Sequence, residues 1–113
     1  MCKFSSSKVA ESISGYKSIA KGETNLKTAV NAGPASICVA ASAFQTYSSG
    51  ILKFCPGQID HCVQVVGYDD TNSPSYWIVR NSWATSWGEQ GYIRLEMGKD
   101  LCHIADDATY PTF

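Results

Sequence analysis

The second half of the chain carries β-type segments that limit the folds open to it. In HCVQVVGY, which begins at His61, residues alternate in the two-residue period of a strand with two different faces. The turn-forming stretch DDTNSP follows, and then come the strand-like segments SYWIVRN and GYIRLEM, with Gly88 and Gly91 in the connection between them. Strands joined by short connections predict an antiparallel sheet that is strongly curved or nearly closed.

The first half adds one short helix and further strands. YKSIA and ASICVAA read as strands, the latter apolar on both faces. GETNLKTAVNAGP predicts a helix that Thr24 or Asn25 caps and that ends at Gly33 and Pro34. There is no internal repeat and no second domain boundary. We therefore expect residues 1–113 to form one α+β unit, a curved antiparallel sheet with a short helix.

Composition excludes several classes of function. The chain of 113 residues has nine basic and ten acidic residues, a net charge of -1 and no basic run that would attract nucleic acid. No apolar segment approaches the roughly 20 residues that span a bilayer. The start, MCKFSSSK, is not followed by an apolar core, so it does not read as a secretory signal.

His61 and Asn81 are the first pair of residues that could share chemistry. His61 opens one strand and Asn81 ends the next, and these two positions meet in an antiparallel hairpin. An asparagine oxygen that accepts from one imidazole nitrogen fixes the tautomer and aims the other nitrogen at a reacting group. This is the arrangement of a base and its orienting group in nucleophilic catalysis. A lone histidine at such a place is more often structural.

The tryptophans beside Asn81 fit the same interpretation. A flat indole laid over a hydrogen bond excludes water and keeps the bond strong, and Trp83 is placed to do this. The alternative is that Trp83 and Trp87 fill the core next to a glycine-rich loop. The residue pattern alone favours that alternative.

Taken together, DHCVQVVGY, YWIVRNSWATSWGEQGYIRL and the final ATYPTF resemble the papain-like cysteine peptidases, nearest the cathepsin L type. The resemblance covers nearly the whole chain and is loosest before NAGPASICVAA. It implies that His61 is the catalytic imidazole, Asn81 its orienting amide and Trp83 the indole that covers their hydrogen bond. Trp87 resembles the residue that lines the leaving-group side of the cleft. The implied chemistry needs no metal or organic cofactor.

The chain departs from that family in two places. The segment with the nucleophilic cysteine, which the family carries on its N-terminal helical half, is absent. The resemblance therefore implies that residues 1–113 are the right, C-terminal half and that this chain alone is inactive. Ala84 stands where the family usually has glycine after Asn-Ser-Trp. If that position needs a positive φ, alanine is strained by roughly 1 kcal/mol.

The five cysteines are also interpreted through the resemblance. Cys55 and Cys102 resemble a disulfide of the right half, and Cys2 resembles a cysteine whose partner lies in the left half, so that it is unpaired here. Cys38 and Cys62 are expected to be buried free thiols. A disulfide implies an oxidising compartment, so the expected setting is lysosomal, vacuolar or secreted.

The resemblance extends to substrate binding. Cys38, Asp60, Cys62 and Asp107 resemble the lining of the pocket for the second residue before the scissile bond. With Asp107 at its floor, this pocket is expected to accept a basic side chain; the alternative is that Asp107 points to solvent. The implied partners are polypeptide substrates, the missing N-terminal half, a pro-segment and cystatin-type inhibitors.

Other interpretations of the chain are possible. Cys62 is a poor nucleophile for His61, because successive strand side chains point to opposite faces. Zinc binding by Cys55, Cys62 and Cys102 with the histidines is disfavoured, since no Cys-x-x-Cys pair exists. Two alternatives remain: a non-catalytic relative that binds peptides or has a structural role, and a half-domain that works alone as a binding or scaffold protein.

Overall fold

The computed structural model describes residue 12 and residues 14–71 and 73–113. Cys2 lies outside these residues, and so does the prediction made for it. The elements are β1 (Gly15–Ile19), α1 (Glu23–Ala32), β2 (Ala35–Val39), β3 (Ile51–Leu52), β4 (His61–Asp69), β5 (Tyr76–Arg80), β6 (Tyr92–Glu96) and β7 (Ala108–Thr112). Short 3₁₀ helices span Ser42–Thr46 and Leu101–His103.

The described strands form one sheet in the order β1-β7-β2-β4-β5-β6-β3. Neighbouring strands run antiparallel except β3 and β6, which are parallel. The prediction of an α+β fold, with a mostly antiparallel sheet and a short helix, is confirmed. Within the described residues the sheet is an open ladder with β1 and β3 at its edges, so strand pairing does not close it.

The core lies on the face of the sheet to which α1 contributes Leu26 and Val30. The largest fully buried side chains include Trp77 of β5 and Phe44 of the first 3₁₀ helix. At about 25 cal/mol per Å² of apolar surface removed from water, such aromatic side chains each contribute a few kcal/mol. The core therefore ties the strands to the 3₁₀ segment that later supports the site.

Helix α1 starts earlier than the sequence indicates. Gly22, with φ 119°, precedes its first residue, and no side chain caps it, so the predicted cap at Thr24 or Asn25 is wrong. The Asn25 amide instead donates to the Lys21 carbonyl. No described helix is long and apolar enough to cross a membrane.

Glu23, the first residue of α1, anchors the helix to the sheet. Its carboxylate accepts hydrogen bonds from the Trp77 indole at 2.7 Å and from the backbone N–H groups of Gly98 at 2.9 Å and Asp100 at 3.1 Å. A carboxylate in the first turn also interacts favourably with the helix dipole. This long-range contact explains why a local capping rule misplaces the start of α1.

Candidate catalytic site

Strand register brings His61 and Asn81 together. His61 is the first residue of β4, and Asn81 follows the last residue of β5. Gln64 pairs with Arg80, and one further step in that register places Asn81 across from Val63. Asn81 is thus a diagonal neighbour of His61 on the same face of the sheet, within reach of two medium-sized side chains.

The two side chains are hydrogen-bonded, with 2.8 Å between Nε2 of His61 and Oδ1 of Asn81. The same Asn81 oxygen accepts from the backbone N–H of Ser82 at 2.7 Å. Because a backbone N–H can only donate, this atom must be the carbonyl oxygen of the amide. Nε2 of His61 must then carry a hydrogen, which leaves Nδ1 as the atom of a neutral imidazole that takes up a proton.

Burial holds the Asn81 amide in place. Asn81 is only 7% exposed, and its backbone N–H donates to the Gly91 carbonyl at 3.0 Å. Its Nδ2 is buried and has no hydrogen-bond partner among the described residues. Burying a polar amide costs free energy unless its groups are bonded, so the two bonds to Oδ1 fix which way the amide points.

Trp83 lies over this hydrogen-bonded pair. Its ring stacks on the imidazole of His61, with centroids 5.2 Å apart and an interplanar angle of 25°. A stacked indole keeps competing water away from the bond and preserves its strength. The indole of Trp83 thus lies against the imidazole of His61.

An aromatic cluster supports Trp83 from behind. Trp87 contacts Trp83 edge to face at 5.4 Å and packs against Phe44 and Tyr47 at 5.9 and 5.6 Å. The Trp87 indole donates to the Phe44 carbonyl at 2.8 Å. Phe44 and Tyr47 were missed by sequence reasoning, because their segment is separated from the tryptophans by about forty residues and by no recognisable motif.

The loop between β5 and β6 is held by a charged clamp. Glu89 accepts from Nε and Nη2 of Arg94, both at 2.8 Å, and from the backbone N–H of Gly50 at 3.1 Å. The hydrogen bond from Arg94 lowers the pKa of Glu89 below its ordinary value. Such a two-point pair fixes geometry as well as charge. The Trp-Gly-Glu motif was the sequence signal that could have identified Glu89.

Ala84 adopts the positive φ that the comparison with glycine anticipated. Its φ is 71°, in the left-handed region that alanine rarely occupies. Its carbonyl still accepts from the Trp87 N–H at 3.3 Å, so the turn that joins the two tryptophans is formed. The loop thus keeps its shape at a cost in backbone strain.

The prediction of free, buried thiols at Cys38 and Cys62 is wrong. The two residues form a disulfide between β2 and β4, with 3.9 Å between their Cα atoms, and Cys62 is exposed. They face each other directly in the ladder. The Cys38 N–H donates to the Asp107 carbonyl on the other side, so the cysteine pair is the closer, non-hydrogen-bonded kind. Cys62 faces away from the core, on the face opposite to His61.

A second disulfide joins Cys55 to Cys102, the pairing that the family resemblance implies. It links the loop before β4 to the second 3₁₀ helix. Cys102 is 2% exposed, so this bond lies largely within the protein. All four cysteines of the described residues are therefore in disulfides, and none offers a thiol to His61.

Three of the four predicted pocket residues lie in a row across the outer face of the sheet. Cys62 pairs with Cys38, and Asp107 precedes the Ile37–Ala108 pair and bonds through its carbonyl to Cys38. Asp107 is exposed. The fourth residue, Asp60, has its carboxylate bound to the backbone, where it accepts from the Ala41 N–H at 2.9 Å.

A groove of about 440 Å³ runs beside this row and is lined by Ser36, Cys62, Val63, Gln64, Arg80, Asn81 and Ser82. A cavity of about 620 Å³ with a mainly apolar lining lies away from His61, between α1 and the end of β7. The groove of about 440 Å³ is the one that bears on the candidate site, because Asn81 and Cys62 both line it.

Asp100, His103 and Asp106 form the one group of described residues spaced for a metal ion, with ligand atoms within 4.8 Å of one another. Hydrogen bonds already occupy them: His103 Nδ1 lies 2.9 Å from Asp106, and Asp100 accepts from the Ala105 N–H at 2.8 Å. Burial, and then the bond to Asp106, raises the pKa of Asp100 to about 6. Bonds from Asp100 and His103 lower the pKa of Asp106, whose carboxylate raises the pKa of His103.

Known proteins resemble the chain over nearly its full length. Digestive cysteine proteinase 1 of Homarus americanus is 43% identical over 119 residues, which cover 98% of this chain and 37% of the relative. Cysteine proteinase COT44 of Brassica napus is 48% identical over 107 residues, covering 88% and 33% respectively. The chain thus spans about a third of the length of these curated relatives.

Solved structures give the same result. Digestive procathepsin L 3 from the larval midgut of Tenebrio molitor superposes with a TM-score of 0.88 and 37% identity, covering 99% of this chain and 39% of that one. Bromelain from Ananas comosus, solved in complex with the E64 inhibitor, gives 0.82 and 38%, covering 89% and 51%. The profile described as papain family cysteine protease matches residues 1–112. The chain belongs to the papain family of cysteine proteases.

Proposed function

We propose that this chain supplies the catalytic histidine and asparagine of a cysteine endopeptidase, with His61 as acid and base and Asn81 as its orienting residue. The 2.8 Å bond between His61 Nε2 and Asn81 Oδ1, stacked beneath Trp83, is the observation that carries the proposal. It supports a defined tautomer with Nδ1 available for proton transfer. A histidine of purely structural function needs no such arrangement.

The four cysteines of the described residues form two disulfides. The proposed nucleophile is therefore a cysteine outside these residues. We propose that residues 1–113 form the right half of the peptidase domain and that an N-terminal helical half brings the thiol to Nδ1 of His61. An imidazolium lowers the thiol pKa from its free value of about 8.5, so the pair exists as thiolate and imidazolium.

Peptide hydrolysis then proceeds through an acyl-enzyme. The thiolate attacks the peptide carbonyl carbon and forms a carbon–sulfur bond. The carbon–nitrogen bond breaks as protonated His61 gives its proton to the leaving amine. Neutral His61 next takes a proton from water, whose oxygen attacks the thioester and releases the acid and the thiolate. Asn81 keeps the ring aimed throughout, and Trp83 keeps water off their bond.

The pocket row supports a preference for basic side chains. Asp107 is exposed at the end of the row formed with Cys38 and Cys62, so its carboxylate is available to an arginine of the substrate. Asp60 and Trp87 also line the proposed cleft, and hydrogen bonds to the backbone of residues 41 and 44 hold their side chains in place. We expect Asp107→Asn to lower kcat/KM for an Arg-Arg substrate about tenfold while changing a Phe-Arg substrate little. Equal losses on both substrates would contradict this role.

The expected setting is secretory, either outside the cell or in a lysosome or vacuole. Two disulfides favour an oxidising compartment, and two of the matched proteins are described as digestive. One matched structure holds an inhibitor and another is a procathepsin. By that similarity we expect this protein to bind polypeptide substrates, a pro-segment and cystatin-type inhibitors.

The test uses this chain expressed with its natural upstream sequence. We expect His61→Ala to lower kcat/KM by about 10³-fold and Asn81→Ala by about tenfold or more, the latter with an altered pH profile. His103→Ala is the matched control, since the second histidine is exposed and bonded to Asp106, and it should keep full activity.

Four outcomes would overturn the proposal. Activity that survives His61→Ala would remove the histidine from the mechanism. An upstream sequence without a cysteine, together with peptide binding, would identify a non-catalytic relative. Hydrolysis by the chain of residues 1–113 alone would show that no second half is needed, and a monodisperse, inactive chain with its own binding partner would indicate a stand-alone half-domain.

A further inference from the structure

The two disulfides of the described residues differ in access. In the Cys55–Cys102 bond, Cys102 is 2% exposed and sits among core residues, and Cys55 is half-buried. In the Cys38–Cys62 bond, Cys62 is exposed and lines the open groove of about 440 Å³. Thiol–disulfide exchange requires a thiolate to reach a sulfur atom. The Cys38–Cys62 bond therefore contains the most accessible of the four sulfur atoms, that of Cys62.

The charges around the Cys38–Cys62 disulfide favour attack on one of its two sulfur atoms and by an anionic thiol. The groove that Cys62 lines also contains Arg80, which is exposed. Asp107 lies beside Cys38, on the side of β2 away from Cys62, and its carbonyl accepts from the N–H of Cys38. An anionic thiolate is attracted towards Arg80 and repelled by Asp107, so it approaches Cys62 rather than Cys38.

The position of the bond gives exchange a consequence. Cys62 directly follows His61, and His61 pairs with Val39 in the last step of the β2–β4 ladder. Beyond that step the chain turns into the loop that precedes β4. The disulfide is therefore the only covalent link among the described residues that ties the start of β4 to its neighbouring strand.

We propose that the Cys38–Cys62 disulfide is a thiol-exchange site at which an anionic low-molecular-weight thiol of the glutathione class attacks Cys62 and loosens the end of β4 that bears His61. In the first step the sulfur–sulfur bond breaks, a mixed disulfide forms on Cys62, and Cys38 leaves as a thiolate that takes a proton from water. A second thiol displaces Cys62, so that two cysteine thiols and one oxidised dimer of the reagent result. The exchange does not depend on the peptidase assignment.

The first test measures which bond opens. The oxidised chain, with Cys2→Ser to exclude exchange by that residue, is treated with graded reduced glutathione, quenched with iodoacetamide and mapped by mass spectrometry. We expect Cys38 and Cys62 to react about tenfold faster than Cys55 and Cys102, with the glutathione adduct on Cys62. Arg80→Gln should slow glutathione but leave uncharged 2-mercaptoethanol unchanged.

Several results would overturn the proposal. One is a non-reducing peptide map without a Cys38–Cys62 link, and others are equal reduction rates for the two bonds or adducts mainly on Cys38. An equal effect of Arg80→Gln on both reagents would also count against it, because the groove charge would then have no part in selecting the thiol.

The second test measures the effect on His61. In the selectively reduced chain, and in Cys38→Ser/Cys62→Ser, backbone amide exchange at His61 and Val39 should be several-fold faster and the imidazole Nε2–H signal weaker. The Ile93 and Leu95 amides of the distant β6 should keep their protection. Unchanged His61 signals after complete opening of the bond would show that the link has no influence on the histidine.

Discussion

Ala84 has a backbone conformation that is unfavourable for a residue with a Cβ atom. It holds φ at 71° between the two tryptophans of the site, where the family usually has glycine. For an L-residue with a Cβ atom the left-handed region costs roughly 1–2 kcal/mol. The strain persists because the aromatic cluster and the Glu89–Arg94 clamp determine the path of the loop on both sides.

We therefore expect Ala84→Gly to stabilise the chain by about 1 kcal/mol, less the extra freedom that glycine gives the unfolded state. Urea unfolding followed by tryptophan fluorescence measures this change. The matched control is Ala29→Gly within α1, which should destabilise by about 1 kcal/mol. A loss of stability at both positions would show that the loop at Ala84 is unstrained.

At the same scale, the sequence identified some contacts and missed others. His61 and Asn81 were paired correctly because hairpin strands adjacent in sequence have a register that their ends define. Cys38 and Cys62 were not paired, because β2 and β4 are separated by a long connection. A shift of one residue in that register would turn either side chain to the other face. Nothing local in the sequence fixes such a register.

Among the elements, β3 shows how tertiary contacts create structure. It has two residues, Ile51 and Leu52, and pairs in parallel with β6. Its neighbour Gly50 donates to Glu89, and the Tyr47 hydroxyl donates to the Gly50 carbonyl at 2.6 Å. A strand of two residues is too short to show alternation, so the sequence pattern could not indicate it.

Glu89→Gln is expected to loosen this region, because the amide loses the charge that Arg94 pairs with and one acceptor of the clamp. The free energy of unfolding should fall by about 1 kcal/mol, and amide exchange at Gly50 and Leu52 should accelerate. Asp70→Asn is the control, since Asp70 pairs with Lys27 at the surface, and it should change little. Unaltered exchange at Gly50 in the Glu89 variant would contradict the clamp.

For the molecule as a whole, Asp100, His103 and Asp106 make the folded state more stable at mildly acidic pH than at neutral pH. The raised pKa of Asp100, about 6, means that folding disfavours its ionised form, so stability increases as pH falls through 6. The raised pKa of His103 adds stability below its ordinary value, and this is lost as pH rises. The lowered pKa of Asp106 gives stability that is lost only in stronger acid, below about 4.

We therefore expect the chain to unfold at a higher urea concentration at pH 5 than at pH 7.5. Asp100→Asn should flatten this dependence. Asp70→Asn, which breaks only a surface pair with Lys27, should preserve it. Greater stability at pH 7.5 in the unmutated chain would contradict the assignment.

The fold class was accessible from the sequence because alternation and turn residues are local. The order of the strands was not, since β7 inserts between β1 and β2 from the far end of the chain. The start of α1 depended on Glu23 reaching Trp77 and the loop after β6, again a contact between distant segments. Alternation and turn residues carry no information about such contacts between distant segments.

The involvement of Cys38, Cys55, Cys62 and Cys102 in disulfides has a practical consequence for chemical probes. In the oxidised protein, an electrophile that labels free thiols finds no target in residues 14–71 and 73–113. If Cys2 is replaced by serine, a covalent adduct on the protein expressed with the proposed N-terminal half would mark a sulfur of that half. A single labelling reaction would then locate and titrate the proposed nucleophile without interference from the described residues.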